Sequence, residues 1–249
     1  MVKTRHCPAR RGRLPCCLLC ALLCAAWALL AAGRAARADG PEPPDAEPAP
    51  KPAGRSLMTP WAVGAFGVVA GTLIATDRPA LRLFDTDLGE SPSERDRLPQ
   101  RISFLGDGRT LLVASALPAL WGGKHGRQAT AKALKALATT TVAVTAVKYL
   151  VGKERPSRAA GRVRYRGPGL GDASFPSGHT AAAFAVATVM AHEYPRYRYL
   201  FWGIATAVGV ARIQSAAHFP SDVWVGAGLG AYMGRRGAHG STSLLSWSF

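Results

Sequence analysis

Along this chain, apolar stretches rich in Ala and Gly alternate with short polar segments rich in helix breakers. From Trp61 onward the pattern predicts helices over about 61–76, 108–121, 127–152, 178–193, 198–213 and 219–234. The divisions fall at Pro79, the Pro92–Pro99 stretch, Gly122-Gly123, Pro156, the Gly-rich 161–171 loop and Pro195. Period-two alternation is almost absent and no internal repeat is visible, so the fold class is all-α, a six-helix bundle. The uncharged helix cores mostly run about 12–16 residues, short of the ~20 that a bilayer asks for. The third helix also carries Lys132 and Lys135. Short helices, apolar nearly all round, suit a tightly packed extracytoplasmic bundle lying at or tethered to a membrane. The alternative is an integral multi-pass protein, because Ala and Gly at this frequency also suit helix contacts within membranes.

The region before the bundle has another texture. A basic stretch through Arg13 precedes the apolar run Leu14–Ala32 and then Ala36-Arg37-Ala38, the pattern of an export signal cleaved before Asp39. An uncleaved N-terminal anchor is the alternative, since the run approaches spanning length. Either sends the rest across a membrane. Residues 39–57 form a Pro-rich, acidic linker, 58–236 the helical domain and 237–249 a C-terminal tail.

Charge must be apportioned along this division. The net charge is +16, but residues 1–38 hold seven basic side chains and no acid, leaving 24 basic against 15 acidic beyond them. That excess points to an anionic partner, and without an Arg-aromatic stripe it does not point to nucleic acid. All five cysteines (Cys7, Cys16, Cys17, Cys20, Cys24) lie in the leader. The exported part therefore has neither disulfide nor thiolate zinc site, and no His/Asp/Glu cluster has metal-ligand spacing. No cofactor is implied, and the oligomeric state is not readable.

Three polar clusters interrupt the apolar helices. In the first, Lys148 ends the apolar part of the third helix and Arg155 follows seven residues later, before Pro156. Two helical turns would bring both to nearly one face, although basic residues at a helix C-terminus also simply answer the macrodipole. In the second, Phe175-Pro176-Ser177-Gly178-His179-Thr180 precedes an apolar run. Ser177 is a good N-cap, and the same geometry makes an anion site, with Gly178 leaving the backbone open to a ligand. A protonated His179 gains nothing at a helix N-terminus unless an anion is bound there. In the third, Arg212 precedes His218 and Asp222, which are four apart. That spacing can put the carboxylate beside the ring and leave the other nitrogen free to attack; Asp222 as a plain helix-start acid is the simpler reading.

In this order and spacing, K-x6-R-P, P-S-G-H and R-x5-H-x3-D resemble the signature of the type 2 phosphatidic acid phosphatase and vanadium haloperoxidase superfamily, with ten positions matched. Ala211 stands where the family commonly has serine. The resemblance implies a metal-free phosphatase acting on phosphomonoesters or diphosphates, and the export signal points to lipid-linked ones. It implies Lys148, Arg155, Arg212, Ser177 and Gly178 around the phosphate, His218 as nucleophile, Asp222 holding its ring, and His179 as acid and then base. A vanadate-dependent haloperoxidase would use the same cations, and a non-catalytic, membrane-associated anion-binding protein would need only those.

Overall fold

A computed structural model describes residues 59–83, 97–169 and 171–239. The chain divides into a unit over Met1–Ala49, outside the described residues, and one over Pro50–Phe249. The predicted leader, the whole linker and most of the tail likewise lie outside them. Seven α-helices are described: α1 (Pro60–Leu83), α2 (Arg97–Phe104), α3 (Gly108–Trp121), α4 (Gly123–Val151), α5 (Gly178–Glu193), α6 (Arg198–Gln214) and α7 (Pro220–Ala238), with a 3-10 turn at Pro195–Tyr197. No strand occurs among the described residues, only an isolated bridge between Lys153 and Tyr165. The all-helical bundle and its six anticipated helices are present.

Three departures have physical causes. Helix α2 lies where prolines predict a loop, but Pro99 sits in its first turn, where a missing N–H costs no hydrogen bond. Helix α1 continues through Pro79 to Leu83; its last turns are fastened by Asp77 and Leu81, both buried. Helix α4 stops at Val151 because Gly152 takes a left-handed conformation (φ 58°) and donates to the Lys148 carbonyl. Arg155 is therefore not on the helix with Lys148, contrary to the two-turn expectation.

Helix α5 is the axis of the bundle: every residue from Thr180 to Met190 is buried, and α4, α6 and α7 pack around it. An Ala-rich helix enclosed on all sides needs neighbours that approach its backbone, and α7 supplies them through Gly226, Gly230 and Gly234. A Cβ at Gly230 would stand 2.0 Å from the Ala181 carbonyl oxygen, and one at Gly234 2.6 Å from that of Ala185. Gly230→Ala must push two backbones apart and is expected to cost about 1–3 kcal/mol. Thermal unfolding in detergent checks this, and an unchanged midpoint would contradict so close a packing.

The outer helices are of another kind. Trp61, Val68, Val113, Leu120, Trp121, Val142 and Leu150 are all exposed, on α1, α3 and α4. Residues Pro60–Leu81 and Gly123–Val151 are each long and apolar enough to cross a membrane, with 11% and 22% of their most apolar stretches buried in the protein. Outward apolar surface of this extent makes the chain membrane-associated. As whole helices α1 and α4 run 24 and 29 residues, longer than their uncharged cores, since Pro79 does not end α1 and α4 continues on both sides of its lysines. Lys132 of α4 is paired with Glu193 at 2.8 Å. Near that pair, His125 and His192 are exposed, as is His239, all three away from the clusters described next. Arg236 near the end of α7 is buried and donates to Tyr232.

Candidate active site

The predicted residues gather where α4 and α6 end and α5 and α7 begin. Lys148 is half-buried in the last turn of α4, donates to the Ala173 carbonyl, and lies close to Gly178. The loop from Gly152 to Ser177 carries Arg155 back toward the helix ends. Glu154 N–H donates to the Arg164 carbonyl (2.9 Å) beside the Lys153–Tyr165 bridge. The Arg155 guanidinium donates to Asp172 at 2.8 Å and to the Ala217 carbonyl at 3.4 Å, next to His218. Arg212 donates to Ser103 of α2 at 2.7 Å, while its Nε is buried without a partner. Its backbone carbonyl accepts from His218 N–H at 3.2 Å, so the third cation and the histidine share one turn.

His179 stands in the first turn of α5, pressed against the turn after α2. A Cβ on Gly106 would stand 2.4 Å from Val208 Cγ1 and 3.2 Å from His179 Cβ, so a larger residue there would force the surrounding side chains to shift. Ser177 caps α5: its hydroxyl is fully buried, 2.8 Å from Thr180 Oγ1 and 3.5 Å from Thr180 N. The capping reading therefore describes Ser177 better than the phosphate-contact reading. The first-turn amides of Gly178 and His179 remain suited to an anion.

His218 is 1% exposed, with Nδ1 3.2 Å from Ser174 Oγ and 3.8 Å from Asp222 Oδ2. Asp222 therefore stands beside the ring, with Oδ2 beyond ordinary hydrogen-bond distance of Nδ1. Its Oδ2 instead accepts from Ser174 Oγ and from Phe219 N–H (2.8 Å). Its Oδ1 accepts from Lys153 Nζ (2.7 Å). Lys153 is wholly buried, and its ammonium also reaches Asp77 Oδ2 (2.7 Å) and Ser221 Oγ (2.9 Å) and lies 4.3 Å from the centre of the Phe219 ring. Asp77 in turn accepts from Ser221 N–H and Oγ.

This cluster of Asp77, Lys153, Ser174 and Ser221 is absent from the sequence reading. Lys153 lies between Lys148 and Arg155 and reads as one more basic residue of that cluster, and Asp77 lies 76 positions before it. Every carboxylate here is held by a cation: Asp77 and Asp222 by Lys153, and Asp172 by Arg155 and Arg158. Among the described residues no group of three or more His, Cys, Asp or Glu side chains could hold a metal ion.

Charge states follow from this packing. Burial opposes the charge of Asp222, but His218 and Lys153 outweigh it and hold the carboxyl down to about 2. Burial, with Arg212 and Arg155 behind it, pushes His218 down to about 4 against the pull of Asp222. Burial and Arg212 push His179 down to about 4 as well. Both rings are thus neutral at pH 7. In the unfolded chain they take a proton near 6.5, and in the folded chain only near 4. Between those values the unfolded state binds more protons, so stability falls as pH drops through that window and is level above it. The thermal midpoint measured from pH 7.5 to 4 is expected to fall on acidification; a rise would contradict the burial of these rings.

The geometry has counterparts in known proteins. Residues 129–241 match the model of the PAP2 superfamily. A lipid A 1-phosphatase of Rhizobium etli is 31% identical over 176 residues, 61% of this chain and 75% of that protein. A lipid A 1-phosphatase of Porphyromonas gingivalis is 38% identical over 98 residues, 38% of this chain; the chain spans only 20% of that relative's length. The crystal structure of Aquifex aeolicus LpxE aligns with a TM-score of 0.52 at 27% identity, covering 65% of this chain and 93% of that one. A family model that takes in all three clusters, and a relative covered over most of its length, leave one conclusion: this chain belongs to the PAP2 superfamily.

Proposed function

We propose that this PAP2-superfamily chain is a metal-independent lipid phosphatase working through a phosphohistidine at His218. The observation that carries the reading is the setting of His218. A buried, neutral imidazole has one nitrogen 3.2 Å from Ser174 Oγ, which in turn donates to Asp222, and its charged surroundings are Arg155 and Arg212. Those arginines and Lys148 spread positive charge over the phosphoryl oxygens, where charge develops in the transition state. The first-turn amides of α5 add fixed dipoles.

His218 Nε2 supplies the electron pair of a new N–P bond while the P–O bond to the leaving group breaks. A phosphoryl group brings negative charge to His179 and reverses the balance that otherwise keeps it neutral. His179 then carries a proton, which passes to the leaving oxygen. Water next attacks phosphorus and gives its proton to His179, and the N–P bond breaks to restore His218.

Location and relatives support a lipid-linked phosphate. The outward apolar faces of α1 and α4 suit passage through a bilayer, and the export signal suits an extracytoplasmic or periplasmic site. The relatives' names make lipid A 1-phosphate the first substrate to test. The full chain in detergent is expected to release phosphate from a lipid-linked panel faster than from water-soluble esters, equally with and without EDTA. Loss of activity in chelator that divalent ions restore would overturn the metal-free mechanism. Preference for soluble esters would overturn the substrate class.

A further inference from the structure

Asp222 and His218 do not touch, yet the gap between them is filled. Ser174 is fully buried, and its Oγ stands 3.2 Å from His218 Nδ1 while donating to Asp222 Oδ2. Its place is set by the backbone, since Ser174 N–H donates to the Lys153 carbonyl at 2.6 Å. A serine hydroxyl has one proton, and an ionised carboxylate can only accept. The Ser174 proton therefore goes to Asp222. Toward His218 the same oxygen can only accept, which requires the ring proton to be on Nδ1.

We infer that Ser174 is a positioning residue: its hydroxyl relays Asp222 to His218, fixing the Nδ1–H tautomer and leaving the Nε2 lone pair for phosphorus. The inference rests on the proposed nucleophilic role of His218 and deepens it. Asp222 is itself held on both oxygens, by Lys153 on Oδ1 and Phe219 N–H on Oδ2, so it cannot turn to reach the ring directly without breaking those bonds. Without the hydroxyl, the ring faces a 3.8 Å gap and either nitrogen can take the proton. An imidazole protonated on Nε2 has no lone pair to offer there, and the wrong tautomer disables a histidine without moving it.

The test is 15N NMR of histidine-labelled full-length protein in detergent at neutral pH, without substrate, with His218 assigned by its loss in His218→Ala. Wild type is expected to show His218 protonated on Nδ1, and Ser174→Ala a mixture of tautomers. With a lipid phosphate as substrate, Ser174→Ala is expected to lower kcat about 100-fold and leave KM within about twofold, because no phosphate contact is lost. Ser174→Thr, which keeps the hydroxyl, is expected to restore part of kcat. A wild-type ring protonated on Nε2 overturns the inference, whether or not the Ser174 variants fold. So does Ser174→Ala with an unaltered tautomer and unaltered kcat. The spectrum is read on the resting protein, so it stands apart from the reaction itself: turnover surviving in His218→Ala would defeat the phosphohistidine reading and leave the tautomer assignment to be judged on its own.

Discussion

His218→Ala is expected to abolish turnover, lowering kcat by about 10⁴-fold or more, the usual cost of deleting a nucleophile that acts as one unit with its partners. Binding of inorganic phosphate or vanadate should persist, because Lys148, Arg155 and Arg212 are unchanged and none of them leans on the imidazole. Rapid-quench labelling with a 32P-phosphorylated lipid should trap an acid-labile, base-stable phosphoenzyme in wild type and none in the variant. A variant keeping a tenth of wild-type activity would end the nucleophile assignment, as would wild type that never accumulates label under conditions of slow hydrolysis. The separation of binding from turnover is also what distinguishes an enzyme from a mere anion-binding bundle.

The largest effect on stability is expected at Lys153. Its ammonium is the single cation between two buried carboxylates, Asp77 and Asp222, at 2.7 Å from each. Lys153→Met leaves both acids enclosed with like charge and no balancing cation, and breaking a buried pair in this way costs about 3–5 kcal/mol. Activity should be lost with it, since Asp222 loses the bond that fixes its Oδ1. Adding Asp77→Asn to Lys153→Met removes one of the stranded charges and should recover part of the stability while leaving turnover low. Thermal unfolding and phosphate release on the three proteins check this. A single variant within about 1 kcal/mol of wild type would mean that the pair is no stronger than a surface contact.

The sequence makes the helices legible because each apolar run is bounded by breakers, and α3, α5 and α6 lie within a residue of their predicted limits. What misleads is the treatment of proline as a uniform breaker. Pro99 begins a helix, where its lost donor is harmless, and Pro79 is tolerated where Asp77 and Leu81 pin the turn around it. The chemistry-bearing residues are legible by spacing, and the chain does bring Lys148, Arg155, His179, Arg212, His218 and Asp222 to one end of the bundle. The path by which they arrive is not legible. Arg155 comes by way of a left-handed glycine and a loop instead of a helix face. Asp222 reaches His218 through a serine that, beside Phe175-Pro176, reads as part of a turn. Asp77 carries no local sign of its role, since an acid near the end of an apolar helix looks like any solvated terminus. Its significance exists only once a lysine far along the chain is folded against it.

The glycine contacts between α5 and α7 carry a consequence for how this architecture can diversify. His179 and Asp222 each sit at the head of one of these two helices, and the spacing between the heads is dictated by main chain lying on main chain, with few rotatable groups in between. Reactive geometry is thereby as stiff as peptide units allow. Novel headgroup preferences must then arise on the surrounding parts, the exposed stretch of the loop between Arg155 and Asp172 and the outward faces of the apolar helices, because Lys153, Arg155, Ser174, Asp77 and Lys148 belong to the frame that performs the chemistry.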